Sequence, residues 1–437
     1  MTSRIPLYDG DLETWLAGQR WFRSKSRPLR DVAVRDFFEF REATGFLVLV
    51  VSFEDGLQER YVVPAIGMAD SPREPEDGDG FWRTAVAELA DGPRILSSAS
   101  GRLVLKPRPE LAQLLPGAAA EASELRERSM GVEQSNTSVA LGDRLMLKVY
   151  RLLEPGINPE VELLAFLTEH GFAHAPLAAG SMRYVANDAK PATASIVQSL
   201  VPARGDAWSW MLEHLNGPAA EPQAAILAAS GIGAVTVALH EALQSDPERA
   251  DFPSRPATAA ERRAWQVAAG AELDAAVAAA PDAERQRLSS VADRVRAAFE
   301  AMAVAPGAWV SRIHGDYHLG QLLVTEDGFA VTDFEGEPAR SLAERRRPTS
   351  PLRDVAGMLR SLDYAARTVQ RGQPAFAADA WLGAARRAFL MAYGEPADPV
   401  LLRAFELEKA CYEVRYEANV RPDWTWVPLE AIERMVA

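Results

Sequence analysis

Apolar positions change period along this chain, and the change divides it. Within residues 8–20, Leu12, Trp15 and Leu16 recur at helical spacing. Three runs follow at 32–38, 45–53 and 60–66, short and rich in β-branched residues, which predict an antiparallel sheet. The Pro-, Glu-, Asp- and Gly-rich stretch 69–80 has little to bury and reads as a loop. Residues 121–128 predict a helical stretch, and 132–139 a polar turn between strands. Residues 145–150 alternate as a strand with Lys148 at its centre. Asn158-Pro159 then supplies an N-cap and a first-turn proline for a helix whose Val161, Leu164 and Ala165 share a face. Residues 193–201 are another apolar strand, ended by Pro202.

Beyond Pro202 the pattern is alanine-rich and helical over 218–246, 258–277, 282–303, 372–394 and 399–420, with no fixed-period repeat. One stretch interrupts it: Ile313-His314-Gly315-Asp316-Tyr317-His318-Leu319-Gly320-Gln321. The runs 322–324 and 329–331 follow, flanking the hairpin signal Glu326-Asp327-Gly328, and then Thr332-Asp333-Phe334-Glu335-Gly336-Glu337. The whole reads as an α+β protein: an antiparallel-sheet cap at 1–95, a β-rich segment at 96–200 and a mainly helical segment at 201–437.

Composition narrows the partners. The 437 residues carry a formal net charge of −14, which disfavours nonspecific nucleic-acid binding and anionic membranes. Cys411 is the only cysteine, so an intrachain disulfide is excluded and a cytoplasmic setting expected. The first six residues lack an apolar signal core, and no run of about 18 apolar residues predicts a membrane-spanning helix.

The chemistry gathers around two carboxylates. A hairpin between them would hold Asp316 and Asp333 side by side at its open end. Asp316 and Gln321 are five apart, the spacing of a hydroxyl-orienting aspartate and a metal-binding amide in phosphotransferases. In that reading Asp316 takes the acceptor's proton, while Gln321, Asp333 and Glu335 are hard oxygen donors suited to Mg2+. Lys148 would neutralise phosphates, with Glu162 on the next helix as its partner; a lysine snorkelling from an edge strand and an exposed Glu162 are the alternatives. Small polar residues at 133–138, Ser135 among them, offer donors to phosphate. His314 and His318 stand four apart, but Gly315 breaks the helix a zinc site would need. His240 reads as a packed histidine. The basic-aromatic patch 20–27 reads as the rim of a packed tryptophan, or as a phosphate contact. At the C-terminal end Glu413 and Glu417 share a helical face, with Asp423 and Trp424 beyond. These residues suit an ammonium group and a sugar ring, and bracing the helix through Arg415 or Arg421 suits the two glutamates equally.

His-Gly-Asp-Tyr-His-Leu-Gly-Gln followed by Thr-Asp-Phe-Glu-Gly-Glu-Pro resembles the catalytic and metal loops of the aminoglycoside phosphotransferase-like kinases. Glu-Gln-Ser-Asn-Thr-Ser at 133–138, Glu-Pro-Gly-Ile-Asn-Pro at 154–159, the stretch 345–358 and the ending 416–424 resemble bacterial maltokinases. The entry 19–28 and the ending 415–426 resemble most an actinobacterial branch of that group whose members act as glucosamine kinases. The resemblance implies a bilobal protein-kinase-like fold with a cap, ATP and Mg2+ as cofactors, and a sugar or amino sugar as partner. It implies glucosamine as acceptor, yielding glucosamine 6-phosphate, with maltose the alternative. It also implies Lys148 and Glu162 as the nucleotide pair, and a hinge at Ser199, Leu200 and Val201 meeting the adenine. Asp316 and His318 would stand on the acceptor side, with Glu413, Glu417, Asp423 and Trp424 as further sugar contacts. Glu335 replaces the glycine of the usual Asp-Phe-Gly, and Asp354 resembles the buried aspartate that braces the catalytic loop.

Overall fold

The computed structural model describes residues 5, 11–41, 43–67, 72–131, 135–217, 220–394 and 398–437. The sequence expectations for 1–4, and for the 132–134 part of the polar turn, lie outside them.

The chain divides into two compact units. The first comprises Met1–Glu169, Pro176–Pro202 and Ser341–Ala343, and the second His170–Ala175, Ala203–Arg340 and Glu344–Ala437. In the first unit β1 (Leu29–Arg41), β2 (Thr44–Phe53) and β3 (Gln58–Ile66) form an antiparallel three-stranded sheet. Its middle strand is apolar without a break because both faces are covered. Phe46 and Val48 enter one core, Leu47, Leu49 and Val51 another with Trp15, Leu16, Trp21 and Phe22. Trp21 and Phe22 of the basic-aromatic patch are therefore packed, with Arg151 over the Trp21 ring and Arg27 paired with Asp55 and Glu59.

A seven-stranded sheet follows, built from β4 (Arg94–Ser97), β5 (Gly101–Pro107), β6 (Glu127–Ser129), β7 (Asn136–Leu141), β8 (Leu145–Tyr150), β9 (Ala178–Ala186) and β10 (Ala192–Ser199) in the order 4-5-9-10-8-7-6. Residue 95 falls within β4, and one core runs from Phe38 and Phe81 through Leu103 to Val197, so cap and sheet share their buried interior. The helical stretch expected at 121–128 ends at Ala122, and 127–129 form β6 instead. Leu125 packs into the core there, while Glu127 accepts the backbone N–H groups of Gly80 and Arg83, a tertiary preference that overrides helix propensity.

The second unit is helical. Pro222–Leu243, Ala259–Ala279, Asp282–Val304, Ala378–Tyr393 and Pro399–Val420 lie where the periodicity puts them, the second opened by a Thr258/Glu261 capping box. The Pro222 helix corrects one expectation from composition, since it is long and apolar enough to cross a membrane. Here it is a core helix, with Ala225, Ala229, Ile232, Thr236, Leu239 and His240 buried. A further helix, Leu352–Gly372, lies outside the helical segments expected above, although Leu352, Val355, Leu359, Leu362, Ala366 and Val369 recur at helical spacing; its buried positions also include Asp354, Arg360, Asp363 and Arg367. It lies so close to the 313–321 loop that a Cβ on Gly357 would stand 2.6 Å from the Tyr317 carbonyl oxygen. Gly270, by contrast, has open space around it in mid-helix. Gly270→Ala is therefore expected to stabilise the protein by about 0.5–1 kcal/mol. Gly357→Ala should destabilise it by about 1–3 kcal/mol through overpacking. Thermal unfolding of the two variants beside wild type checks both signs.

Candidate active site

In the first unit the site starts at β8. Lys148 faces Ile196 of β10 on one side and Ser138 of β7 on the other, so it occupies an inner strand and not an edge. It is almost wholly buried, which removes snorkelling as an explanation. Its Nζ lies 3.0 Å from Oε2 of Glu160, itself 1 % exposed. This corrects the expected partner: Glu160 makes the pair, two residues before Glu162. Residues two apart on a helix point in different directions, and Glu162 is half-buried on another side. Asn158 sets up the geometry, its Oδ1 accepting the Glu160 N–H at 2.9 Å as the helix starts, while the Tyr150 hydroxyl donates to Glu160 Oε2 at 2.7 Å. Ser135 sits half-buried just before β7.

At the end of β10 the backbone groups of 199–201 differ. Ser199 N–H donates to Leu177 O and Leu200 N–H to Arg144 O. Val201 N–H and C=O have no such partner among the described residues.

In the second unit the 313–321 loop is held by one carboxylate. Asp354 accepts the backbone N–H of His314 at 2.8 Å and that of Gly315 at 2.9 Å, and His240 Nε2 lies 3.2 Å away. Burial opposes ionisation of Asp354, yet the His240 hydrogen bond and the neighbouring histidines hold its carboxyl below the ordinary value. His240 is thus the packed histidine expected, its other ring nitrogen 3.0 Å from the Tyr393 hydroxyl. The Thr236 hydroxyl lies 3.0 Å from the Tyr317 hydroxyl, and Ser361 accepts the Leu319 N–H, so the Pro222 and Leu352 helices both fix this loop. His314 is no metal ligand here: its Nε2 lies 2.9 Å from the Thr332 carbonyl, and its Nδ1 accepts the Asp316 N–H.

The loop carries Asp316 to the rim of a cleft and Gln321 to the start of the 322–324/329–331 hairpin. Across that hairpin Gln321 Nε2 donates to Asp333 Oδ2 at 3.2 Å. Asp333 has φ +60, a left-handed conformation that is strained for a residue with a Cβ and clusters at functional sites. An amide and a carboxylate held together at such a turn are hard oxygen donors that fit Mg2+. Glu335, two residues on, is half-buried.

Asp316 itself is about one-fifth exposed in its side chain. His318 Nε2 lies 3.9 Å from one of its oxygens, and Lys409 Nζ 3.9 Å from the other. Burial pushes the His318 imidazole below its ordinary value, favouring the neutral ring whose Nδ1 accepts the Gly320 N–H. Lys409 also approaches Glu337 at 3.8 Å and sits over the Tyr412 ring. Burial opposes charge on Glu337, but Lys409 and Arg340 outweigh it and lower its pKa. Lys409, Glu337 and Tyr412, lining the cleft with Glu408, were missed by sequence reasoning. Lys409 follows Glu406-Leu407-Glu408 on the helix, where its charge looks like ordinary surface patterning.

The expected sugar contacts near the C-terminus are placed elsewhere. Glu413 is bound by Arg360, with Oε2 2.8 Å from Nε, and burial raises its pKa against that arginine's pull. Glu417 takes Arg421 at 2.5 Å and the Tyr364 hydroxyl at 3.1 Å. Both carboxylates thus brace the Pro399 helix, a correction that follows from their burial: such a charge needs a permanent partner. Asp423 borders a separate open depression with Arg367, Arg371 and Trp426, and Trp424 is covered by Arg371 and Arg421. None of the four lines the cleft at Asp316.

The family model of the phosphotransferase enzyme family matches residues 124–399, and that of the maltokinase N-terminal cap domain matches 15–93. The chain belongs to the phosphotransferase enzyme family. It is 31% identical over 422 residues to a glucosamine kinase of Streptacidiphilus jiangxiensis, covering 92% of this chain and 90% of the relative. A glucosamine kinase of Mycolicibacterium smegmatis is 30% identical over 326 residues, 71% of this chain and 79% of that one. Among solved structures, a glucosamine kinase in complex with glucosamine, ADP and inorganic phosphate matches with TM-score 0.74 and 27% identity, covering 98% of this chain and 100% of that one. A second glucosamine kinase structure matches with TM-score 0.76 and 28% identity over the same shares. The fold is accordingly kinase-like α+β, and this phosphotransferase is an ATP-dependent enzyme with a hydroxyl acceptor.

The Glu160 pairing is directly testable. Glu160→Ala would leave Lys148 buried without that partner and should destabilise the protein by about 3–5 kcal/mol. Glu162→Ala, on another side of the helix, should cost under about 1 kcal/mol. Urea unfolding of both variants measures the difference; equal losses would return the role to Glu162.

Proposed function

We propose that this phosphotransferase transfers the γ-phosphate of ATP to the 6-hydroxyl of glucosamine. The observation that carries the reading is the end-to-end similarity to glucosamine kinases, 31% identity across 92% of the chain, joined to a site with each part such a transfer needs.

On the nucleotide side, Lys148, held by Glu160, neutralises phosphate charge, and Ser135 lies in the adjoining loop. The N–H and C=O of Val201, which like the Leu200 C=O have no backbone partner among the described residues, are hinge groups available to meet a base, whereas the N–H groups of Ser199 and Leu200 are engaged. Gln321 and Asp333 would hold Mg2+, with Glu335 as a further carboxylate. Bound there, the ion neutralises charge on the phosphoryl oxygens.

On the acceptor side, Asp316 accepts a hydrogen bond from the sugar hydroxyl, aligns its oxygen for attack and takes its proton as the bond to phosphorus forms. Lys409 and His318 flank Asp316, each 3.9 Å from one of its oxygens. The carboxylates of Glu337 and Glu408 in the same cleft suit the ammonium group of glucosamine, in place of Glu413 and Glu417. ATP dependence and a single buried cysteine accord with a cytoplasmic enzyme.

A second reading, phosphorylation of maltose at its anomeric oxygen, draws on the match of 15–93 to the maltokinase cap. ADP release measured with glucosamine, glucose, maltose and aminoglycosides separates the two, with NMR locating the phosphate on the product. Glucosamine is expected to exceed maltose in kcat/KM by roughly tenfold or more, a modest difference in transition-state binding. Turnover of maltose with none of glucosamine would overturn the reading.

A further inference from the structure

β10 carries a polar side chain to which none of the roles above gives work. Gln198 is fully buried, and neither its Oε1 nor its Nε2 has a hydrogen-bond partner among the described residues. A carboxamide that loses water on both atoms and gains nothing in return is destabilising, and an apolar side chain would fill the same space without that loss.

Strand register shows which way it faces. Gln198 stands opposite Met146 and Ile196 opposite Lys148, in a ladder without interruption from Ser195 to Ser199. Opposed residues share a face, and so do residues two apart. Gln198 therefore lies on the face of Lys148, roughly 7 Å along the sheet from its row. The alternate residues Leu145, Leu147, Val149 and Val197 point into the hydrophobic core on the other side. Gln198 also immediately precedes Ser199-Leu200-Val201, where the unpaired backbone groups of Val201 lie. A phosphate-binding lysine at one end of this face and unpaired hydrogen-bonding groups at the other match the two ends of a nucleotide.

We propose that Gln198 reads the base edge of the nucleotide and makes the site select adenine over guanine. The inference rests on the nucleotide-site reading given above. A carboxamide presents a donor and an acceptor side by side. Adenine offers the complementary pair, its N6 amino group as donor and N7 as acceptor. Guanine offers two acceptors, O6 and N7, so Gln198 Oε1 would face a carbonyl oxygen and remain unsatisfied. A site that hydrogen-bonds one ligand through a buried polar group rejects an analogue that leaves this group unpaired, which turns the orphaned carboxamide into the source of selectivity.

Calorimetric titration of ADP and GDP, without sugar, into wild type, Gln198→Leu and Gln198→Glu tests this, with thermal unfolding confirming that each variant is folded. Wild type should bind ADP roughly tenfold or more tightly than GDP, the discrimination typical of a bidentate base contact. Gln198→Leu should weaken ADP and leave GDP nearly unchanged, so that the ratio collapses. Gln198→Glu keeps an acceptor for N6 but sets a carboxylate against N7, and should lose most of the ADP affinity as well. An ADP-to-GDP ratio unchanged in Gln198→Leu, or equal in wild type, would overturn the proposal while leaving the kinase reading intact. Failure of wild type to bind ADP at all would overturn both.

Discussion

The catalytic loop depends on a single buried carboxylate. Asp354 takes two consecutive backbone N–H groups, those of His314 and Gly315, and the imidazole of His240. Gly315, at φ +88, lets the chain turn so that both N–H groups meet that one side chain while Asp316 swings toward the cleft. The charge is affordable inside the protein because hydrogen bonds and histidines surround it, which is also why its pKa falls despite burial. Position of the acceptor carboxylate is therefore set by a residue 38 places further along the chain, on a helix packed so closely that glycine is required at 357.

The nucleotide side uses the same principle with opposite charge. Lys148 is buried in an inner strand and pairs with Glu160, whose own position follows from the Asn158 cap and the Tyr150 hydroxyl. Both halves of the chemistry thus rest on buried charges with designated partners. Removal of one partner leaves a desolvated charge, a far larger penalty than loss of an exposed pair.

Much of this was legible in sequence, for identifiable reasons. Helices with an apolar stripe and a cap were readable, and Asp316, Gln321, Asp333 and Lys148 stood out as candidates because each is a polar residue set in an apolar strand or a short loop. The burial of Arg360 and Asp363 on the Leu352 helix was not legible, since charged residues usually stay exposed and their partners Glu413 and Arg434 lie more than fifty residues away. Choosing between Glu160 and Glu162 needs the phase of the helix against β8, which spacing along one segment does not contain. Glu413 and Glu417 misled for a related reason. Glu417 meets Arg421, the bracing partner that spacing offered, but Arg360 and Tyr364 lie some fifty residues away, so only the folded chain shows how Glu413 is held. Lys409 was hidden in the reverse sense, a cleft-lining charge beside Asp316 within an ordinary-looking acidic and basic run.

In the proposed reaction Asp316 receives the acceptor's proton while the nucleotide is held by other residues. Steady-state turnover of Asp316→Asn, together with its ADP affinity, tests this most directly. A fall in kcat of roughly 100-fold or more is expected, the scale of general-base catalysis. ADP affinity should meanwhile stay within about twofold of wild type, since ground-state nucleotide binding is untouched. A variant that turns over at close to the wild-type rate would contradict that role for Asp316.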